Sequence, residues 1–306
     1  MDRRGNTLLF VSALLASAAG AAQELPAAVE EIAAGVYVRP GQDAVVFEAE
    51  NVANIGFIVG DRCVAVIDSG GSESEARALQ RAVHGVTEHP ICYVIDTHDH
   101  PDHLLGNKVF ADAGAQIVGH VKLAPALAQR AATYLERASA QSGRTLDRTD
   151  LVVPTITVSD TLELDLGSRA LRLTAHRSAH TDNDLSVFDV KTQTLWLGDL
   201  LFVGHVPVLD GSINGWIEEL RELSAVTAAR AVPGHGPASV PWPAGAADTL
   251  RYLTVLRDDL RHRIEAGESL RSAQESAGYT EAQRWRLFDR YHARNVAAAY
   301  AELEWE

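Results

Sequence analysis

The first two-thirds of the chain carry their apolar residues in short runs broken by turn residues. Toward the end, the spacing becomes helical. Gly35-Val36-Tyr37-Val38 and residues 54–59 read as strands, and Val64-Ala65-Val66-Ile67 is a compact apolar run ending at Asp68-Ser69-Gly70-Gly71. Residues 74–83 then show helical periodicity, and residues 91–95 are apolar again. That order makes a βαβ unit, two parallel strands joined by a crossover helix. A helix over residues 122–140 and a polar loop over 143–150 follow.

The second half repeats the alternation. Leu162-Glu163-Leu164 and Leu171-Arg172-Leu173 alternate like half-exposed strands, whereas residues 185–190 and 194–197 read as core strands. Residues 216–227 form an amphipathic helix, and Ala231-Val232 a short strand. From Thr249 the pattern is helical, over 250–266 and 282–303. The expectation is an α/β layered domain over residues 23–245 with a helical C-terminal extension over 246–306 packed on it.

The remaining segment is a leader. Arg3 and Arg4 precede an apolar run from Leu8 to Ala19, and Ala19-Gly20-Ala21 has the small residues of a cleavage site. Residues 1–22 are therefore expected to be a signal peptide, the mature protein to be periplasmic or secreted, and no membrane span to remain. The net charge of −14 argues against nucleic acid, which needs clustered Lys and Arg, and leaves a small molecule as the expected substrate. Cys63 and Cys92 each sit in an apolar, strand-like run; they read as two buried, unpaired thiols, although export permits a disulfide.

Chemistry concentrates in Thr97-His98-Asp99-His100-Pro101-Asp102-His103, just after an apolar strand. A loop there can turn several imidazoles and a carboxylate toward one point, and that donor set favours zinc or another first-row metal over calcium. Three later segments add ligands at strand-to-loop junctions: His180 in His180-Thr181-Asp182-Asn183-Asp184, Asp199 in Gly198-Asp199-Leu200-Leu201-Phe202, and His235 in Pro233-Gly234-His235-Gly236. Each is weak alone, but together the four segments supply seven ligands.

The series H-x-H-x-D-H, H-T, G-D-x-L-F and P-G-H-G resembles the metallo-β-lactamase superfamily, especially its glyoxalase-II-like members. The resemblance implies an αββα sandwich with the metals at one edge. It also implies that His98, His100 and His180 bind one zinc ion, that Asp102, His103 and His235 bind a second, and that Asp199 bridges them, with Asp102 and Asp199 counted as catalytic. Metal-bound hydroxide would then attack an ester, thioester, lactone or amide-like bond.

A narrower resemblance rests on His180-Thr-Asp-Asn-Asp-Leu, on the run from Leu197 to Ser212 and on the end from Tyr291 to Glu306. These segments look like the quinoprotein relay system zinc metallohydrolases, which are similar to SoxH-type proteins. They imply association with a quinoprotein dehydrogenase and cytochrome c. The alternatives are a zinc β-lactamase, which the bridging Asp199 disfavours, a non-catalytic metal-binding accessory protein, and an iron-dependent oxygenase. Among other residues, His205 is a candidate for substrate proximity, with Asp210 near it. Asp68 reads as a support for a metal ligand or as a turn cap. His120 and Trp216 read as structural, and Asp184 as a loop carboxylate.

Overall fold

The structure is a computed structural model that describes residues 28–42 and 51–306. The expected leader and its cleavage site lie outside the described residues. Two sheets stack face to face. The first has seven strands in sequential order: β1 (Glu30–Ala33), β2 (Val36–Arg39), β3 (Ile55–Val59), β4 (Val64–Ile67), β5 (Ile91–Ile95), β6 (Gln116–His120) and β7 (Ile156–Val158). The second runs β13-β12-β11-β10-β9-β8. Its strands are β8 (Thr161–Asp165), β9 (Ala170–Ala175), β10 (Leu185–Asp189), β11 (Thr194–Phe202), β12 (Arg230–His235) and β13 (Val240–Pro241).

The pleat explains the layering. Along β4, Ala65 and Ile67 point into a core shared with Leu173, Val187 and Trp196 of the opposite sheet. Val64 and Val66 point outward instead, onto Leu79 and Val83 of α1 (Glu73–Val86) and Phe110 of α3 (Asn107–Asp112). Buried on both faces, such strands read as unbroken apolar runs. The outer face of the second sheet is covered by α5 (Ile213–Ser224), α6 (Ala247–Glu265), α7 (Leu270–Ser276) and α8 (Phe288–Leu303), whose apolar residues join Leu195, Leu197 and Ala231 in one cluster. The result is the expected αββα sandwich. On the first sheet's side lie also the short α2 (Pro101–Leu104) and the long α4 (Leu123–Ser142). No helix among the described residues is long and apolar enough to cross a membrane.

Three expectations need correction. Cys63 and Cys92 form a disulfide, with Cα atoms 5.8 Å apart. β4 and β5 are parallel neighbours, and an irregularity in their register, where Val64 faces Ile91 and Ala65 faces Tyr93, brings the two cysteines alongside. The helix expected over 282–303 is broken. Residues Tyr279–Arg284 form a 3-10 turn, Trp285 is extended, and Leu287 adopts φ +61° before α8 begins. The backbone of Arg286 there bridges to His205, so tertiary pairing overrides the helical spacing. Finally, β11 does not stop at Leu197. It continues through Asp199 to Phe202 with register irregularities on either side of Gly198.

Candidate metal centre

All seven sequence-predicted ligands meet at one edge of the sandwich. The loop after β5 delivers His98 and His100, and Pro101 starts α2, which turns Asp102 and His103 inward. Pro fits a first helical position because it has no N–H to leave unpaired. His180 lies between β9 and β10, where Asp184 accepts the Thr181 N–H and hydroxyl and fixes the loop. Asp199 projects from the irregular stretch of β11, and His235 ends β12.

The ligand atoms fall into two groups: His98, His100, His180 and Asp199 in one, and Asp102, His103 and His235 in the other. Within each group they lie within 4.8 Å of one another. Asp199 faces both. Its Oδ1 is 3.2 Å from His103 Nε2 and 3.3 Å from His235 Nε2, and its Oδ2 is 3.4 Å from His180 Nε2 and 3.7 Å from His98 Nε2. Asp102 Oδ2 lies 3.4 Å from His235 Nε2 and 3.6 Å from His103 Nε2.

Each imidazole is aimed by its other nitrogen. His103 Nδ1–H donates to Asp68 Oδ2 at 2.8 Å, and His180 Nδ1–H donates to the Val208 carbonyl at 2.6 Å. His235 Nδ1–H donates to the Val52 carbonyl at 3.1 Å, while His100 Nε2 meets Asp210 Oδ2 at 3.1 Å and His98 Nδ1 meets Thr97 Oγ1 at 3.0 Å. Such partners fix the tautomer and raise ligand basicity. Glycine completes the packing: a Cβ at Gly234 would stand 1.9 Å from Asp199 Oδ1.

The donor set fits metal ions. His98 Nε2, His103 Nε2 and Asp199 Oδ1 are buried and have no hydrogen-bond partner among the described residues, an arrangement costly for polar atoms unless a cation sits between them. Burial holds His98 well below its ordinary range and His180 down at about 3, so both rings are neutral. His180 Nε2 is then a lone pair, yet it faces His100 Nδ1 at 3.0 Å. In the other group, burial works to lower His103 and His235, but the carboxylates of Asp199 and Asp102 outweigh it and raise both. Burial likewise opposes ionisation of Asp199, while His235 and His103 pull it well below the usual carboxylate range. The cluster demands positive charge.

The centre opens into a cavity of about 670 Å³, lined at its base by His100, Asp102, Asp199 and His235. Its side walls come from α4 and α8, which carry Arg130, Tyr134, Arg137 and Arg294. The structure gives Asp68 the supporting role, through His103, and ties Asp210 to His100. His205 is differently placed from the expectation: it is buried, does not line the cavity, and lies tilted beside His235 with ring centroids 6.3 Å apart. His120 caps its own turn by accepting the Lys122 N–H, and Trp216 packs 5.3 Å from His180 while donating to the Leu200 carbonyl. Sequence reasoning missed Asn54, whose amide donates to the Pro233 and Pro237 carbonyls and pins the His235 turn. It also missed Arg130 and Arg294, which share Asp210.

Comparison with known proteins gives one curated relative at 26% identity over 182 residues, the 2,4-dinitroanisole O-demethylase subunit alpha of Nocardioides sp. (strain JS1661). The match takes in 58% of this chain and 51% of the relative, so the chain spans about half that protein's length. Among solved structures, a metallo-beta-lactamase from Pontibacter korlensis superposes with a TM-score of 0.59 at 18% identity, over 74% of this chain and 98% of its own. The stereoselective inverting sec-alkylsulfatase Pisa1 from Pseudomonas sp. superposes with a TM-score of 0.70 at 16% identity, over 90% of this chain and 50% of its own. At these identities the structures testify to the fold alone. Residues 50–235, from just before β3 to the last ligand, match the family described as the metallo-beta-lactamase superfamily, and the chain belongs to it.

Proposed function

We propose that the protein is an exported, dinuclear zinc-dependent hydrolase of an ester, thioester or lactone. The observation that carries this reading is the pair of ligand groups that share Asp199 at the floor of an open cavity. Two zinc ions held there would supply a hydroxide nucleophile near neutral pH and polarise the scissile carbonyl. The chain's own residues do the rest. Asp199 presents one oxygen to each ligand group and so fixes their separation, and Asp102 faces the cavity beside His235. Asp68, Val208 and Asp210 hold three of the imidazoles in the orientation that coordination needs.

Export is supported by the leader-like residues 1–22 and by the Cys63–Cys92 disulfide, since such bonds persist in oxidising compartments. Resemblance of residues 180–185, 197–212 and 291–306 to quinoprotein relay system hydrolases supports a role beside a quinoprotein dehydrogenase and cytochrome c. The relative named as an O-demethylase adds an aryl methyl ether to the substrates worth testing.

The test combines elemental analysis of the purified protein with a panel of thioesters, esters, lactones, β-lactams and 2,4-dinitroanisole. About two zinc ions per chain, and turnover that chelation abolishes and zinc restores, are expected. A single metal, or turnover indifferent to chelation, would overturn the reading.

A further inference from the structure

The walls of the metal cavity carry a charge opposite to that of the whole chain. The protein has 41 acidic residues against 27 basic ones. Among the described residues that line the cavity, however, the only carboxylates are Asp102 and Asp199, both in the ligand cluster, whereas three arginines reach the walls. Arg130 and Arg137 are seven residues apart on α4, two helical turns and about 10 Å along one face. Arg294 comes from α8.

The three differ in what holds them. Arg130 reaches Asp210 through NH1 and Asp99 through Nε, and Arg294 meets the other Asp210 oxygen at 2.7 Å. Asp210 also faces His100, so these two guanidinium groups are built into the frame of the metal centre. Arg137 is exposed and makes no ion pair among the described residues. One positive group is thus available at the cavity wall, beside two more that are paired with Asp210 and, for Arg130, with Asp99 as well.

We propose that the substrate is an anion, bearing a carboxylate or a similar acidic group away from the scissile bond, which Arg137 receives with support from Arg294 and Arg130. This inference rests on the hydrolytic reading for its choice of site, and it specifies the substrate class. Guanidinium favours carboxylate and other oxyanions because its planar fork can donate two parallel hydrogen bonds.

The test uses two thioesters with the same scissile group, 3-(acetylthio)propionate and its neutral amide, on zinc-loaded protein. The carboxylate should be favoured in kcat/KM by roughly fivefold at low salt, the scale of a partly exposed ion pair, and less at high salt. Arg137→Gln should remove most of that preference and Arg137→Glu should reverse it. Arg271→Gln, which removes an equal charge from a helix outside the cavity, should preserve it. The same preference in Arg137→Gln as in Arg271→Gln would overturn the proposal.

If neither thioester is hydrolysed, calorimetric titration of the zinc-loaded protein decides the anion site independently of turnover. Glutarate and glutaramate each offer one carboxylate to the metals and differ only at the far end. Tighter binding of glutarate that is lost in Arg137→Gln sustains the site; equal affinities, or a difference that survives the substitution, refute it.

Discussion

Asp68→Asn isolates the effect of a single proton on the metal centre. Asp68 is 1% exposed and accepts three hydrogen bonds: Thr97 N–H at 2.8 Å on Oδ1, and Thr97 Oγ1–H at 2.9 Å and His103 Nδ1–H at 2.8 Å on Oδ2. Its backbone is left-handed, with φ +56°, a conformation that asparagine adopts as readily as aspartate. Backbone strain is therefore no part of the expected effect. An amide can keep only one face of this arrangement. If its NH2 turns toward the backbone, the Thr97 N–H is left buried against a donor, at a cost of about 1–3 kcal/mol in stability. If the NH2 turns toward His103, the imidazole must shed its Nδ1 proton. The ring then carries that proton on Nε2, where the ligand lone pair belongs.

The second outcome should weaken zinc at the Asp102–His103–His235 group by roughly 10–100-fold, the usual scale for losing a ligand's supporting partner. The assay pairs a two-site chelator competition with thermal denaturation monitored by circular dichroism. The tightly held zinc should stay near wild-type affinity, because His180 and His100 are oriented by Val208 and Asp210. The weaker one should be lost, or the melting temperature should fall. Wild-type melting together with two zincs at wild-type affinity would refute the argument that Asp68 sets the tautomer of His103.

Three further outcomes are expected. Asp199→Ala should keep its fold by circular dichroism but lose hydrolysis by more than the roughly hundredfold typical of an outer partner, and near-normal turnover with two bound zincs would rule out the shared bridge. Gly234→Ala should push the Asp199 carboxylate aside, since the added Cβ would come 1.9 Å from Oδ1, and zinc content by elemental analysis should fall while the far face of the sandwich stays intact. Replacing Cys63 and Cys92 by serine should cost roughly 3–4 kcal/mol in urea unfolding, as expected for opening a loop of 29-residue separation, and equal stability of the two proteins would remove the disulfide from the account.

The metal cluster was legible because coordination chemistry leaves a dense trace. Four of its ligands lie within six consecutive residues, and the other three lie in or between strands that apolar runs announce. The layered fold was legible for a related reason: strands such as Val64–Ile67, buried on both faces, show unbroken apolar sequence. What escaped was decided by tertiary contact. Asn54 acts 179 residues away from the turn that it fixes, and no local pattern marks it. Arg130, Arg137 and Arg294 look like ordinary polar positions on amphipathic helices until α4 and α8 are set on either side of one cavity. The break before α8 was hidden because residues 282–303 keep helical spacing through Leu287, and only the pairing of Arg286 with His205 interrupts it. The cysteines were misread because their alignment depends on a one-residue irregularity between β4 and β5.

The charge arrangement of the centre also bears on why so polar a cluster sits in a buried edge at all. Four of its imidazoles and the Asp199 carboxylate are almost wholly removed from water, and the polar atoms aimed at one another are largely acceptors. Without cations, the fold can relieve this only by protonating His103 and His235, which the neighbouring carboxylates favour and burial opposes. Two dications would satisfy the same atoms without forcing a proton into the ligand positions, so metal binding and folding should be linked, each strengthening the other. The supporting groups fit that linkage. Asp68, Val208 and Val52 each accept a hydrogen bond from the N–H on the far side of an imidazole and leave its inward nitrogen free, an arrangement that contributes little to a fold with no metal and a great deal to one that holds two.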